Sequence, residues 1–122
     1  MEGQKTYEEQ VAEAKTHIKE VTPEQALAMR RGGGDVVFLD VREPQEWNLF
    51  RIPGATWVPL GDVGDKVAGQ VPRDRTVIVY CARGNRSALA ADTMEKMGYP
   101  DVASMSGGIM GWANAGGEVD QG

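Results

Sequence analysis

One segment limits the fold more than any other. Thr76-Val77-Ile78-Val79-Tyr80 sets β-branched and aromatic residues in unbroken succession and runs directly into the chain's one cysteine, Cys81. A strand apolar at successive positions is covered on both faces, as in a parallel sheet, where an alternating strand would have one face in water. Val36-Val37-Phe38-Leu39, ending at Asp40, has the same character. Shorter strands are expected at residues 18–21, 56–58 and 102–105. Helical signals stand between them. Thr22-Pro23-Glu24-Gln25 combines a capping threonine, a proline at the first helical position and Gln25 three residues after the cap, and Gly32-Gly33-Gly34 stops that helix. Short helices are expected at 43–47 and within 61–69, a longer one opening at Ser87 and ending at Gly98, and a last one at 109–115. Strands alternating with helices predict an α/β fold with a mostly parallel sheet.

Residues 6–17 form one more helix. Tyr7, Val11 and Ala14 fall on one face and Glu8, Glu9, Glu13 and Lys15 surround it. The apolar face is thin, which suits an appendage packed on the main domain or a helix that binds a partner. The expected division is an appended helix over 1–17 and the main domain over 18–122.

Composition excludes several classes. The 122 residues suit one domain, with 41% hydrophobic and 25% charged, and such a length folds without disulfides or a metal. A net charge of −5 argues against general nucleic-acid binding. No apolar run approaches a membrane span, and the polar, acidic N-terminus lacks the apolar core of a signal peptide. A cytoplasmic protein is expected, with Cys81 reduced. One cysteine and one histidine, His17, make no structural zinc site, and no metal or cofactor is expected.

Ligands of open parallel sheets bind at the carboxyl ends of the strands, where Cys81 stands. Gly84 lets the following segment, Ala82–Arg86, curl tightly, so that its N–H groups form a nest at a helix N-terminus. The nest, the helix dipole and Arg83 or Arg86 all favour the thiolate, which is the reactive form. An inert buried cysteine is the competing reading, but two arginines within six residues are out of place beside one.

At these residues the chain resembles the rhodanese family. Cys81-Ala82-Arg83-Gly84-Asn85-Arg86-Ser87 is similar to its active-site loop, C-x-x-G-x-R-S. Leu39-Asp40-Val41-Arg42-Glu43-Pro44-Gln45-Glu46-Trp47 is similar to its L-D-V-R-x-x-x-E-W segment, and Arg51-Ile52-Pro53-Gly54-Ala55 to its H-I-P-G-A turn. Gly107-Gly108, Trp112 and Ala115-Gly116 follow its closing pattern, and residues 18–38 fit its opening strand and helix. One departure is Phe50-Arg51 where the family has Gly-His. That histidine does not carry sulfur, and Arg51 adds positive potential if it faces the site.

The resemblance implies a rhodanese-like three-layer fold, a mostly parallel five-stranded sheet with helices on both faces. It further implies a sulfurtransferase in which Cys81 carries sulfane sulfur as a persulfide. The donor would be a small anion such as thiosulfate, and the acceptor cyanide, a thiol or a protein. The amides of Ala82 to Ser87 would hold the outer sulfur and Arg83 would attract the anion. Arg86 would do the same, or reach back to a carboxylate and brace the loop. Asp40 and Arg42 are supporting residues, an ion pair or turn hydrogen bonds near the loop. Glu46, Trp47 and Trp112 are read as packing and bracing. Met94 and Met97 fill core, as do Met105 and Met110, unless one of the latter pair walls the site.

Two other classes compete. A non-catalytic or partner-dedicated persulfide carrier would keep the same loop without turnover. A cysteine phosphatase or arsenate reductase of related fold uses C-x5-R, whereas Cys81 and Arg86 make C-x4-R, one residue shorter and better suited to a sulfur atom.

Overall fold

The computed structural model describes residues 4–121, leaving 1–3 and 122 outside the described residues. In chain order the elements are α1 (Tyr7–Lys15), β1 (Lys19–Val21), α2 (Pro23–Arg31), β2 (Val36–Asp40), α3 (Pro44–Leu49), β3 (Phe50–Arg51) and β4 (Thr56–Trp57). Then come α4 (Val63–Lys66), β5 (Thr76–Tyr80), α5 (Asn85–Lys96), β6 (Val102–Met105), α6 (Gly108–Asn114) and β7 (Asp120–Gln121). Five strands form one parallel sheet in the order β1-β6-β5-β2-β4. The two most apolar runs, β5 and β2, lie inside it and pair over five residues, from Val36 with Thr76 to Asp40 with Tyr80.

Strand alternation sorts the core into two layers. Val77 and Val79 of β5 pack with Leu39, Val63, Ala90, Ala91 and Met94, on the face covered by α4 and α5. Ile78 and Tyr80 point the other way, among Ala26, Leu27, Phe38, Met105, Ile109 and Trp112, on the face covered by α2 and α6. Trp112 meets the Phe38 ring edge to face at 5.3 Å and donates its indole N–H to the Glu118 carbonyl, so it anchors α6 as expected. The same alternation carried one step past Tyr80 places Cys81 with Val77 and Val79, under α5.

Two features were not expected. β3 and β7 pair antiparallel, Phe50 with Gln121 and Arg51 with Asp120. Two-residue strands 70 positions apart leave no periodic trace in a sequence. α5 begins at Asn85, two residues ahead of Ser87, because Gly84 adopts φ 106° and turns the chain directly into the first helical turn.

Helix α1 packs on α5. Thr6 and Glu9 cap it reciprocally, and Val11 and Ala14 are buried. No helix among the described residues is long and apolar enough to cross a membrane.

Candidate active site

Cys81 leaves the end of β5 buried, with 1% of its surface exposed. Its sulfur accepts from the Gly84 N–H at 3.1 Å and from the Ser87 N–H at 3.4 Å. The early helix start explains the second bond. With Gly84 as the cap, Ser87 is the third residue of α5, and its N–H is among those a helix leaves without an internal partner. The Ser87 hydroxyl lies 3.5 Å from the sulfur and 2.8 Å from the hydroxyl of Ser104 on β6. Both serines are fully buried. As a thiol, Cys81 donates to Ser87. As a thiolate it accepts from Ser87, while Ser104 donates to Ser87 in turn.

The loop's carbonyls are held from the opposite side. The Ile109 N–H donates to the Cys81 carbonyl at 2.9 Å and the Met110 N–H to that of Ala82 at 3.2 Å. A Cβ on Gly108, at φ 58°, would stand 2.4 Å from the Ala82 carbonyl carbon and oxygen. The start of α6 therefore presses on the loop and turns its peptide dipoles, with carbonyls toward α6. The N–H groups of Arg83, Asn85 and Arg86 find no acceptor among the described residues. All three residues line a pocket of about 280 Å³ with Cys81, Ala82 and Tyr7.

The two loop arginines part company. Arg86 forms a two-pronged ion pair with Glu46 on α3, at 2.7 and 2.9 Å. The Arg86 hydrogen bond draws the Glu46 carboxyl well below its ordinary 4.5, to about 2, with burial opposing, and Glu46 raises Arg86. Of the two roles expected for Arg86, bracing is the one the structure displays. Arg83 is exposed and has no ion-pair partner among the described residues.

Asp40 and Arg42 form a buried ion pair at 2.7 Å and make no hydrogen bond to residues 81–87. Burial, the largest influence, disfavours the Arg42 charge, but the Asp40 hydrogen bond together with the attraction of Asp40, Tyr80 and Glu46 outweighs it and raises the Arg42 pKa. The Arg42 side chain donates to the Phe50 carbonyl just beyond α3, and the Arg42 carbonyl accepts from the Trp57 indole. Trp57 stacks on Trp47, next to Glu46. The pair thus fixes α3, and α3 supplies the grip on Arg86.

Three other expectations resolve elsewhere. Arg51 donates to the Trp47 carbonyl and lies over the Trp47 ring, away from the pocket. Met105 is buried on the opposite face of the sheet, since strand alternation sets it apart from Cys81, and Met110 is 41% exposed. Neither walls the site. Among the described residues the group with metal-ligand spacing is His17, Asp92 and Glu95, on the α1–α5 contact. There Asp92 approaches the imidazole Nε2 at 3.5 Å and Glu95 approaches Nδ1 at 3.9 Å, so opposite ring nitrogens face the two carboxylates.

Sequence reasoning missed Ser104 and the arrival of Tyr7. A serine inside an otherwise apolar strand is the signal for the first, since a buried hydroxyl needs a partner. Nothing in the periodicity of α1 shows what its face will meet.

The sequence model of the rhodanese-like domain matches residues 22–115. The chain belongs to the rhodanese family. Thiosulfate sulfurtransferase GlpE of Pseudomonas entomophila is 36% identical over 108 residues, covering 88% of this chain and 96% of that one. The probable adenylyltransferase/sulfurtransferase MoeZ of Mycobacterium tuberculosis is 37% identical over 95 residues, 76% of this chain, which spans 24% of that larger protein. Among solved structures, a protein of unknown function from Rhodopseudomonas palustris, described as a possible tyrosine phosphatase, superposes with TM-score 0.84 at 32% identity over 98% of both chains. A thiosulfate sulfurtransferase from Pseudomonas aeruginosa gives 0.81 at 30% identity, covering 93% of this chain and 22% of that one. The rhodanese fold accounts for the five-stranded parallel sheet, and its sulfurtransferase relatives support sulfur transfer as the general activity.

Proposed function

We propose that this rhodanese moves sulfane sulfur from an anionic donor such as thiosulfate to cyanide or a thiol, through a persulfide on Cys81. The observation that carries the reading is the convergence of two backbone N–H donors and the Ser87 hydroxyl on the Cys81 sulfur. Such fixed donors stabilise negative sulfur at no reorganisation cost during reaction. In the first half-reaction the Cys81 thiolate attacks the outer sulfur of thiosulfate. The Cys–S bond forms, the sulfur–sulfur bond of thiosulfate breaks, and sulfite departs with the electron pair. In the second, the acceptor attacks the outer sulfur, and the Cys81 thiolate leaves with its electron pair restored. No general base is needed, because a thiolate is both the attacking and the leaving group.

The unengaged N–H groups of Arg83, Asn85 and Arg86 suit the outer sulfur of a persulfide, and exposed Arg83 suits the approach of an anion. A thiol or a protein persulfide would use the same cradle, and a reducing compartment such as the cytoplasm would keep Cys81 free. The supporting pair Asp40–Arg42 acts through α3 on the position of Arg86.

The phosphatase description of the R. palustris neighbour favours a second reading. Against it stand the short loop and the Arg86 guanidinium, both of whose terminal nitrogens are occupied by Glu46. A thiocyanate assay with thiosulfate and cyanide, run beside an aryl-phosphate assay, tests the proposal. Thiocyanate formation lost in Cys81→Ser is the expected result. Phosphate release without thiocyanate would overturn it, and neither product, with sulfur still accepted by Cys81, would leave a partner-dedicated carrier.

A further inference from the structure

Helix α1 is accounted for neither by the family match, which begins at residue 22, nor by the loop around the sulfur. It is nonetheless held in place. Its capping box fixes its start, Val11 and Ala14 are buried, and Lys15 donates to the Asn85 side chain at 3.2 Å, on the first residue of α5. This docking brings Tyr7, the first residue of α1, to the pocket over Cys81. Among the described residues the others lining that pocket all belong to segment 81–86, so Tyr7 is their one addition from outside the loop. Tyr7 is 46% exposed, which places it at the rim. Burial raises the Tyr7 pKa, the negative sulfur of Cys81 adds to the effect, and Arg86 opposes it. The phenol therefore stays an O–H donor at neutral pH, on a side chain that lines the pocket together with Cys81 and Arg86.

We propose that Tyr7 is a specificity-determining residue of the Cys81 pocket: the ring limits the size of molecules reaching the sulfur, and the hydroxyl donates to an anionic oxygen of the donor. Arg83 would flank the same anion. A neutral reagent gains nothing from the hydroxyl and meets only the ring. The identity of the donor rests on the sulfur-transfer reading, whereas the wall does not.

Two measurements on the full chain separate these points, each on wild type, Tyr7→Phe and Tyr7→Ala. The first is the kinetics of thiocyanate formation at varied thiosulfate. The second is the rate of Cys81 alkylation by iodoacetate, an anion, and by neutral iodoacetamide, which requires no sulfur transfer. Loss of one hydrogen bond to a charged group at a half-exposed rim predicts a thiosulfate KM about 3–10-fold higher in Tyr7→Phe, with kcat unchanged. The iodoacetate rate should fall by a similar factor while the iodoacetamide rate holds. Tyr7→Ala should keep the iodoacetate defect relative to iodoacetamide and admit a bulky maleimide faster than wild type does. A residue that merely packs α1 would leave the ratio of the two alkylation rates the same in all three proteins, and that result would overturn the proposal. If wild type forms no thiocyanate, sulfur transfer from thiosulfate fails as a reading, and the alkylation ratio still decides the role of Tyr7.

Discussion

The hydroxyls of Ser87 and Ser104 lie 2.8 Å apart beneath the Cys81 sulfur, one on α5 and the other on β6, with no exposed surface on either residue. Which of the two hydroxyls donates follows the protonation of Cys81. With Ser104 donating, the Ser87 O–H is left to face the sulfur, and a thiolate gains a third donor beside the two N–H groups. Removing the supporting hydroxyl in Ser104→Ala frees Ser87 to rotate. A hydrogen bond to a charged group is worth about 1.5 kcal/mol or more, so sulfur transfer should slow about tenfold in Ser87→Ala and by a smaller factor in Ser104→Ala. Steady-state kinetics beside a thermal melt check this. Full activity in both variants would remove the serines from the account.

The Arg86–Glu46 pair makes a pH prediction with a definite sign. Glu46 titrates at about 2 when folded, against an ordinary 4.5. A carboxyl with a depressed folded pKa stabilises the native state above its unfolded value and loses that contribution as pH falls toward the folded one. Wild type should thus exceed Glu46→Gln in stability by a constant amount above about pH 5.5, and the two curves should converge between about pH 4.5 and 2. At this partial burial a two-pronged pair is worth about 1–2 kcal/mol. Denaturant melts across that range measure the difference. Curves that stay parallel down to pH 2 would show that the pair contributes nothing to folding.

Gly108 is where α6 and the loop come too close for any side chain. Its φ of 58° and the 2.4 Å approach to the Ala82 carbonyl exclude alanine unless one of the two elements moves. Gly108→Ala should destabilise the fold by about 2–4 kcal/mol. It should also impair sulfur transfer in whatever fraction remains folded, because the Ile109 and Met110 N–H bonds that orient the loop would be displaced. Chemical denaturation and activity per folded molecule test the two parts separately.

Much of this arrangement was legible in the chain. Apolar runs ending at Asp40 and Cys81 implied strands of a mostly parallel sheet. The family motifs located the loop, and a glycine two residues before Arg86 implied a tight turn into a helix. What escaped was long-range and geometric. Gly84 starts α5 two residues before Ser87, a shift that propensity does not reveal although it aims the Ser87 N–H at the sulfur. Ser104 matters because β6 lies beside β5, where Val79 pairs with Ser104, and strand order cannot be read from one strand's composition. Glu46 was legible as a brace but not as the partner of Arg86, 40 residues away. Tyr7 belonged to a thin amphipathic face whose target only the packed structure supplies.

The central claim is that Cys81 carries the transferred sulfur, and intact-protein mass spectrometry tests it most directly. After incubation with thiosulfate the chain should gain about 32 Da, one sulfur atom, lose it on addition of cyanide, and show no gain in Cys81→Ser. An unchanged mass, with Cys81 shown to be free and reduced while thiocyanate still accumulates, would contradict it.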